Sequence, residues 1–133
     1  MVDAGPIIGF LDADDQWHAW STRTLEVIEE PLATTETVVA EACHHLRKLR
    51  PALGVIPRLV AEGRLVLVPV MADQPRRIGE LLLKYPQMDA GDATLVVLSE
   101  VCPRARLITV DDDFRHYRRF RHQAIPLVIP QRA

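Results

Sequence analysis

Residues 85–114 read YPQMDAGDATLVVLSEVCPRARLITVDDDF. Wound as a helix, 89–101 spreads Ala90, Ala93, Leu95, Val96, Val97, Leu98 and Val101 around most of its circumference, the pattern of a helix buried inside a domain. Asp89 and Asp92, three residues apart, share one face of its first turn. A short apolar strand over 106–110 then runs straight into Asp111, Asp112 and Asp113. Acid is therefore concentrated beside the core. An unpaired buried carboxylate is strongly penalised, so something positive has to meet these groups there.

Outward from this stretch, the chain alternates in type. Met1 and Val2 form the end of a short strand, with Asp3 at its carboxyl edge, and Gly5-Pro6 turns it into a helix. With so little strand before Asp3, either the strand is short or the natural chain begins a few residues earlier. The run to Leu11 stays apolar and ends in a polar turn at Asp12-Ala-Asp14-Asp15. Helical spacing of Trp17, Trp20, Thr24, Val27 and Ile28 predicts a helix over 16–29 packed by its tryptophans. Residues 31–35 read as a brief extended link, and Thr35 as the N-cap of a helix over 36–50, whose apolar arc (Val38, Val39, Ala42, Leu46, Leu49) has Glu41 just outside its edge. A short helix over 51–62 ended by Gly63, a buried strand over 64–70 and an amphipathic helix over 72–84 follow. Beyond the acid-rich stretch come a short helix over 112–120 and a last strand over 125–129.

Strands alternating with helices predict an α/β fold, a mostly parallel sheet with helices on both faces. Ligands of such sheets bind outside the carboxyl ends of the strands. Asp3 and Asp111 follow strands, while Asp92 lies in the first turn of one helix and Glu41 in the second turn of another, both starting near strand ends, so four carboxylates converge on one edge. The only lysines, Lys48 and Lys84, follow no strand and offer no internal cation. An anionic, oxygen-rich pocket suits Mg²⁺ or Mn²⁺. Such a site is equipped for metal-assisted phosphodiester hydrolysis.

These residues resemble the PIN-domain ribonucleases, and especially the VapC-type toxins of bacterial toxin and antitoxin pairs. The resemblance spans nearly the whole chain and rests on four blocks in order: DAGPIIGFLD from Asp3, followed by Asp15 and His18; TTETVVAEA around Glu41; MDAGDA around Asp92; and LITVDDDF around Asp111. It implies a single PIN-like domain over 1–133, a three-layer sandwich, with Asp3, Glu41, Asp92 and Asp111 as catalytic, metal-binding acids. Asp89 and Asp113 would be supporting or alternative ligands, and Asp111 is favoured within its triplet by the family's Thr-x-Asp pattern. The implied activity is that of an endoribonuclease dependent on Mg²⁺ or Mn²⁺, usually a homodimer, usually silenced by a small antitoxin protein.

Bulk properties are compatible with this. A length of 133 residues at 48% apolar composition supports one domain with one core. A net charge of −2 gives no global bias toward nucleic acid, so RNA binding needs a local basic patch. Arg115, Arg118 and Arg119, within RHYRRFRH at 115–122, offer one that holds an RNA backbone, or else form a solvated amphipathic helix. Cys43 and Cys102 have no CxxC partner, which fits a reduced cytoplasmic protein, and no apolar run approaches the ~18 residues of a membrane span. Plainer readings stand beside the sharp ones. Asp89 and Asp92 also fit a capping box, Glu41 a solvated helix edge, and the Asp triplet a turn. Cys43-His44-His45 lacks the i, i+4 histidine spacing of a helical zinc site. The DxD at Asp12 and Asp14 is followed by Asp15-Gln16 rather than the small and hydroxyl residues of haloacid-dehalogenase-type phosphatases, and a phosphate-receiver domain needs a lysine after a late strand. A PIN fold that binds RNA or a partner without cutting is the remaining alternative.

Overall fold

A computed structural model describes residues 1–132. The elements in chain order are α1 (Ala4–Leu11), α2 (His18–Glu26), β1 (Leu32–Thr34), α3 (Glu36–His45), α4 (Arg50–Ala61), β2 (Leu65–Leu67), α5 (Val70–Asp73), α6 (Pro75–Lys84), α7 (Ala90–Val101), β3 (Leu107–Ile108), a 3-10 turn (Asp112–Arg115), β4 (Arg118–Arg119), β5 (Gln123–Ala124) and β6 (Leu127–Val128). The fold is α/β, as the alternation predicts. β1 pairs with β2 and β3 with β6, both in parallel. Val2 joins the two pairs: its N–H donates to the Ala33 carbonyl at 3.0 Å, while Asp3 N–H donates to Ile108 and Ile108 N–H to Met1. Thr34 Oγ1 adds a bond to the Val2 carbonyl at 2.7 Å. The resulting order is β2, β1, residues 1–3, β3, β6, and it places Asp3 and the residues after β3 side by side at one sheet edge.

Helix α7 is the hub of the core. Gly91 and every residue from Ala93 to Ser99 are buried, as the all-round apolar pattern requires. Phe114 and Tyr117 are completely enclosed as well. Truncating Leu95 or Leu98 to alanine would cost about 2–5 kcal/mol, the range for emptying a packed site.

Several expected boundaries shift, each for a physical reason. The link at 31–35 contains strand β1, because Leu32 to Thr34 find a long-range partner in Leu65 to Leu67 that no local pattern announces. The strand expected over 64–70 pairs only over Leu65–Leu67, since Pro69 lacks an N–H and the chain enters α5 at Val70. The helix expected over 72–84 is split at Gln74 (φ −135°, ψ 55°), because Pro75 disfavours helical backbone in the residue before it. The helix expected over 36–50 stops at His45, and α4 starts at Arg50 with Pro51 in its first turn. In α2 the buried residue is Ser21, not the tryptophans; a Cβ on Gly9 would collide with Ser21 Oγ, so two small residues set the close approach to α1. Trp17 is half-buried, with the Arg132 guanidinium 5.0 Å from its ring. The helix expected over 112–120 is a 3-10 turn followed by the antiparallel hairpin β4–β5. Phe120 (φ 49°) and Arg121 (φ 68°), both in left-handed backbone, turn the chain within the three-residue loop between paired Arg119 and Gln123, closed by the His122 N–H donating to the Arg119 carbonyl.

Candidate functional site

Asp3 leaves the sheet and caps α1. One carboxylate oxygen accepts the Ala4 N–H at 2.7 Å and the other the Thr109 hydroxyl at 2.7 Å. Thr109 Oγ1 also accepts the Asp111 N–H at 3.0 Å, so a single buried threonine fixes Asp3 and the chain leading to Asp111 together. Asp111 in turn accepts the Asp113 N–H at 2.9 Å and caps the 3-10 turn.

Asp89 and Asp92 form the capping box of α7. Asp89 Oδ1 accepts the Asp92 N–H at 2.8 Å, and Asp92 Oδ2 faces the Asp89 N–H at 3.5 Å. The plain structural role is thus present, and it occupies one oxygen of each acid. Asp92 Oδ2 also accepts the Tyr117 hydroxyl at 3.1 Å. Glu41 reaches the same place because α3 and α7 are stitched at their starts. Thr35 caps α3 and its hydroxyl lies 2.9 Å from that of Thr94, which bonds back to the Gly91 carbonyl at 2.7 Å. Glu41 Oε2 and Asp89 Oδ1 both lie within 3.5 Å of the point where a Cβ on Gly91 would sit. Glu41 itself is exposed at the rim rather than bordering the core.

Burial and the crowding of like charge make these acids hold their protons more tightly than free carboxyls do. Burial first, then the charges of Asp89 and Asp3, raise the Asp92 carboxyl to about 7 against the lowering effect of Tyr117. Asp3 is raised to about 6 by burial, with Glu41 and Asp111 adding to it and its two hydrogen bonds opposing. Glu41 is raised by burial and by Asp89 and Asp111. Asp111 is raised by burial and by its acidic neighbours. Five carboxylates therefore sense one another, and among the described residues none of them forms a salt bridge.

An all-oxygen, uncompensated donor set of this kind fits a hard divalent cation such as Mg²⁺ or Mn²⁺. As the side chains stand, no three His, Cys, Asp or Glu residues among the described ones are gathered tightly enough to hold an ion. Binding would have to draw in the exposed members, Glu41 and Asp89. Within the triplet, Asp112 is already engaged by Arg132 Nε at 2.6 Å and Arg115 Nε at 3.1 Å, which leaves Asp111 and Asp113 without an ion-pair partner among the described residues.

The expected arginine patch is only partly available. Arg119 is a correction: it is buried, with Nη1 donating to the Ser99 and Pro103 carbonyls and Nε to Gln123, so its guanidinium holds the end of α7 and does not face a ligand. Arg115 is exposed, and half-buried Arg118 donates to the Arg115 and Tyr117 carbonyls. Sequence patterns also left out Tyr117 and Thr94, whose hydroxyls position the acids. Only Thr109 had a local signal, its place two residues before Asp111.

Residues 1–120 match the family described as the PIN domain. The backbone is similar to the crystal structure of Mycobacterium tuberculosis VapC20, described as a toxin that cleaves the sarcin-ricin loop, with a TM-score of 0.75 over 84% of this chain and 89% of that one, at 17% identity. No curated protein matches the chain.

Proposed function

Because this chain belongs to the PIN-domain family, we propose that it is a metal-dependent endoribonuclease, the toxin of a toxin and antitoxin pair, built as one PIN-like domain over 1–133. The observation that carries this is the cluster of Asp3, Glu41, Asp92 and Asp111 at the sheet edge, with raised protonation and no salt-bridge partner among the described residues. Those four acids would hold Mg²⁺ or Mn²⁺, with Asp89 and Asp113 in support. Bound there, a divalent cation supplies a lowered pKa for water and charge stabilisation for the leaving oxygen of a phosphodiester.

The chain's own contribution is positional. Thr109 keeps Asp3 and Asp111 in register, Thr35 and Thr94 bring Glu41 to the head of α7, and Asp89 caps that helix so that Asp92 lies in its first turn. Arg115 and Arg118 remain to hold an RNA backbone beside the acids. A small antitoxin protein, a homodimeric state and a cytoplasmic setting belong to the same proposal. No helix among the described residues is long and apolar enough to cross a membrane.

The test is cleavage of RNA by the purified chain with Mn²⁺ or Mg²⁺, stopped by EDTA. The loose spacing of the acids favours one second reading, a PIN fold that binds RNA or a partner without cutting. RNA bound but left intact in the presence of Mn²⁺ would select that reading.

A further inference from the structure

Tyr117 brings the only side-chain hydrogen bond that Asp92 receives among the described residues. Its ring is completely buried and packs edge-on against Tyr85 and Phe114, with centroids 5.1 and 5.2 Å apart. Core packing therefore decides where the hydroxyl sits. It donates to Asp92 Oδ2 at 3.1 Å, the oxygen that the Asp89 N–H also faces at the longer distance of 3.5 Å, while Oδ1 accepts no hydrogen bond from the described residues. The terminal torsion of an aspartate is broad and roughly two-fold, so a carboxylate without such an anchor samples several orientations. The kind of donor matters as well. An arginine in this place would cancel the charge that a cation must find, whereas a neutral hydroxyl holds one oxygen and leaves the negative charge in the site.

We propose that Tyr117 is a positioning residue for Asp92, fixing the rotation of its carboxylate so that the free oxygen is set for a divalent cation. This rests on the metal-dependent reading above and goes beyond it by naming an outer partner of a ligand. Outer partners of this kind are typically worth 10–100-fold in metal affinity.

The test is Mn²⁺ binding without RNA, followed by electron paramagnetic resonance of the free ion, in the wild-type chain, Tyr117→Phe and Tyr85→Phe. Tyr117→Phe keeps the ring and the fold, checked by circular dichroism, and should weaken Mn²⁺ binding roughly 10–100-fold. Tyr85→Phe removes a hydroxyl from the same aromatic cluster, one that accepts the Arg118 N–H and does not touch an acid, and should leave the affinity unchanged. On an Asp92→Asn background, Tyr117→Phe should add no further loss. A wild-type chain that binds no Mn²⁺ would overturn the metal-dependent reading itself. Wild-type binding with an equal affinity in Tyr117→Phe would overturn only the role of Tyr117. Equal losses in both tyrosine variants, or a Tyr117→Phe chain that does not fold, would also overturn it, because the hydroxyl would then serve packing.

Discussion

The two ends of α7 treat carboxylates in opposite ways. At its start, Asp89 and Asp92 meet Asp3, Glu41 and Asp111 without an arginine or lysine salt bridge among the described residues. At its end, Glu100 is gripped by Arg77 through Nε at 3.0 Å and Nη2 at 2.9 Å, and it accepts the Phe120 N–H at 2.6 Å. Arg119 covers the nearby Ser99 and Pro103 carbonyls, and Arg121 joins Glu80. The amino end agrees with the helix dipole, which favours acids there, while the carboxyl end carries the acid Glu100 in its last turn and takes its cations from outside the helix. Only one end is neutralised. The chain supplies arginines where a carboxylate has a structural task and withholds them where, on our proposal, a cation arrives from solution.

Substitutions at each end should therefore separate activity from stability. The largest effect is expected for Asp92→Asn: RNA cleavage with Mn²⁺ should fall about 10³-fold, roughly 4 kcal/mol of transition-state stabilisation. The melting temperature of the metal-free chain should at the same time rise, because one of the crowded charges is gone. Cleavage that persists in this variant removes Asp92 from the mechanism. Arg77→Ala should do the reverse, lowering stability in urea by roughly 2–3 kcal/mol by leaving Glu100 half-buried and unpaired, with cleavage per folded molecule retained. An activity loss as large as that of Asp92→Asn would erase the contrast between the two ends.

A smaller effect is expected from pH. Asp92 has a folded value of about 7 and Asp3 of about 6, both above the ordinary 3.8, so between about 4 and 7 the native state binds more protons than the unfolded chain. Stability from these groups is present below that window and is lost as pH rises through it. Metal-free protein should thus melt several degrees lower at pH 8 than at pH 5, and Mn²⁺ should flatten the difference by binding the ionised acids. A melting curve that does not move with pH in the absence of metal would contradict the crowding. The smallest effect is expected for Asp112→Asn. Its two arginine partners are about half exposed, so the loss should stay under about 1 kcal/mol with cleavage intact.

What the sequence made legible follows the range of the forces involved. Helix α7 could be read because its burial is written in its own periodicity, and Asp89 and Asp92 because a capping box is a local pattern. The four principal acids are readable from their places after strands and at helix starts and from the family resemblance. In the fold they lie close enough to raise one another's proton affinity, although no three are gathered tightly enough to hold an ion among the described residues. The hydroxyls that hold them were not legible. Tyr117 meets Asp92 only after β4 has docked on α7, and Thr94 meets Thr35 only when two helices cross. Arg119 was misplaced for the same reason: among neighbouring arginines, nothing local says which one turns inward. β1 was missed because a three-residue strand is defined by its partner.

The position of residues 1–3 in the middle of the sheet has a consequence for synthesis. Asp3 accepts a hydrogen bond from Thr109 and its N–H donates to Ile108, while the Val2 N–H before it donates to Ala33. Asp3 and its threonine are 106 positions apart along the chain. A ribosome that has finished only the first hundred residues holds a chain in which Asp3 has neither its threonine nor its neighbour Asp111. Contacts so distant along the chain form late in folding. On the proposed function, the acid cluster is complete only once Thr109 and Asp111 have been made.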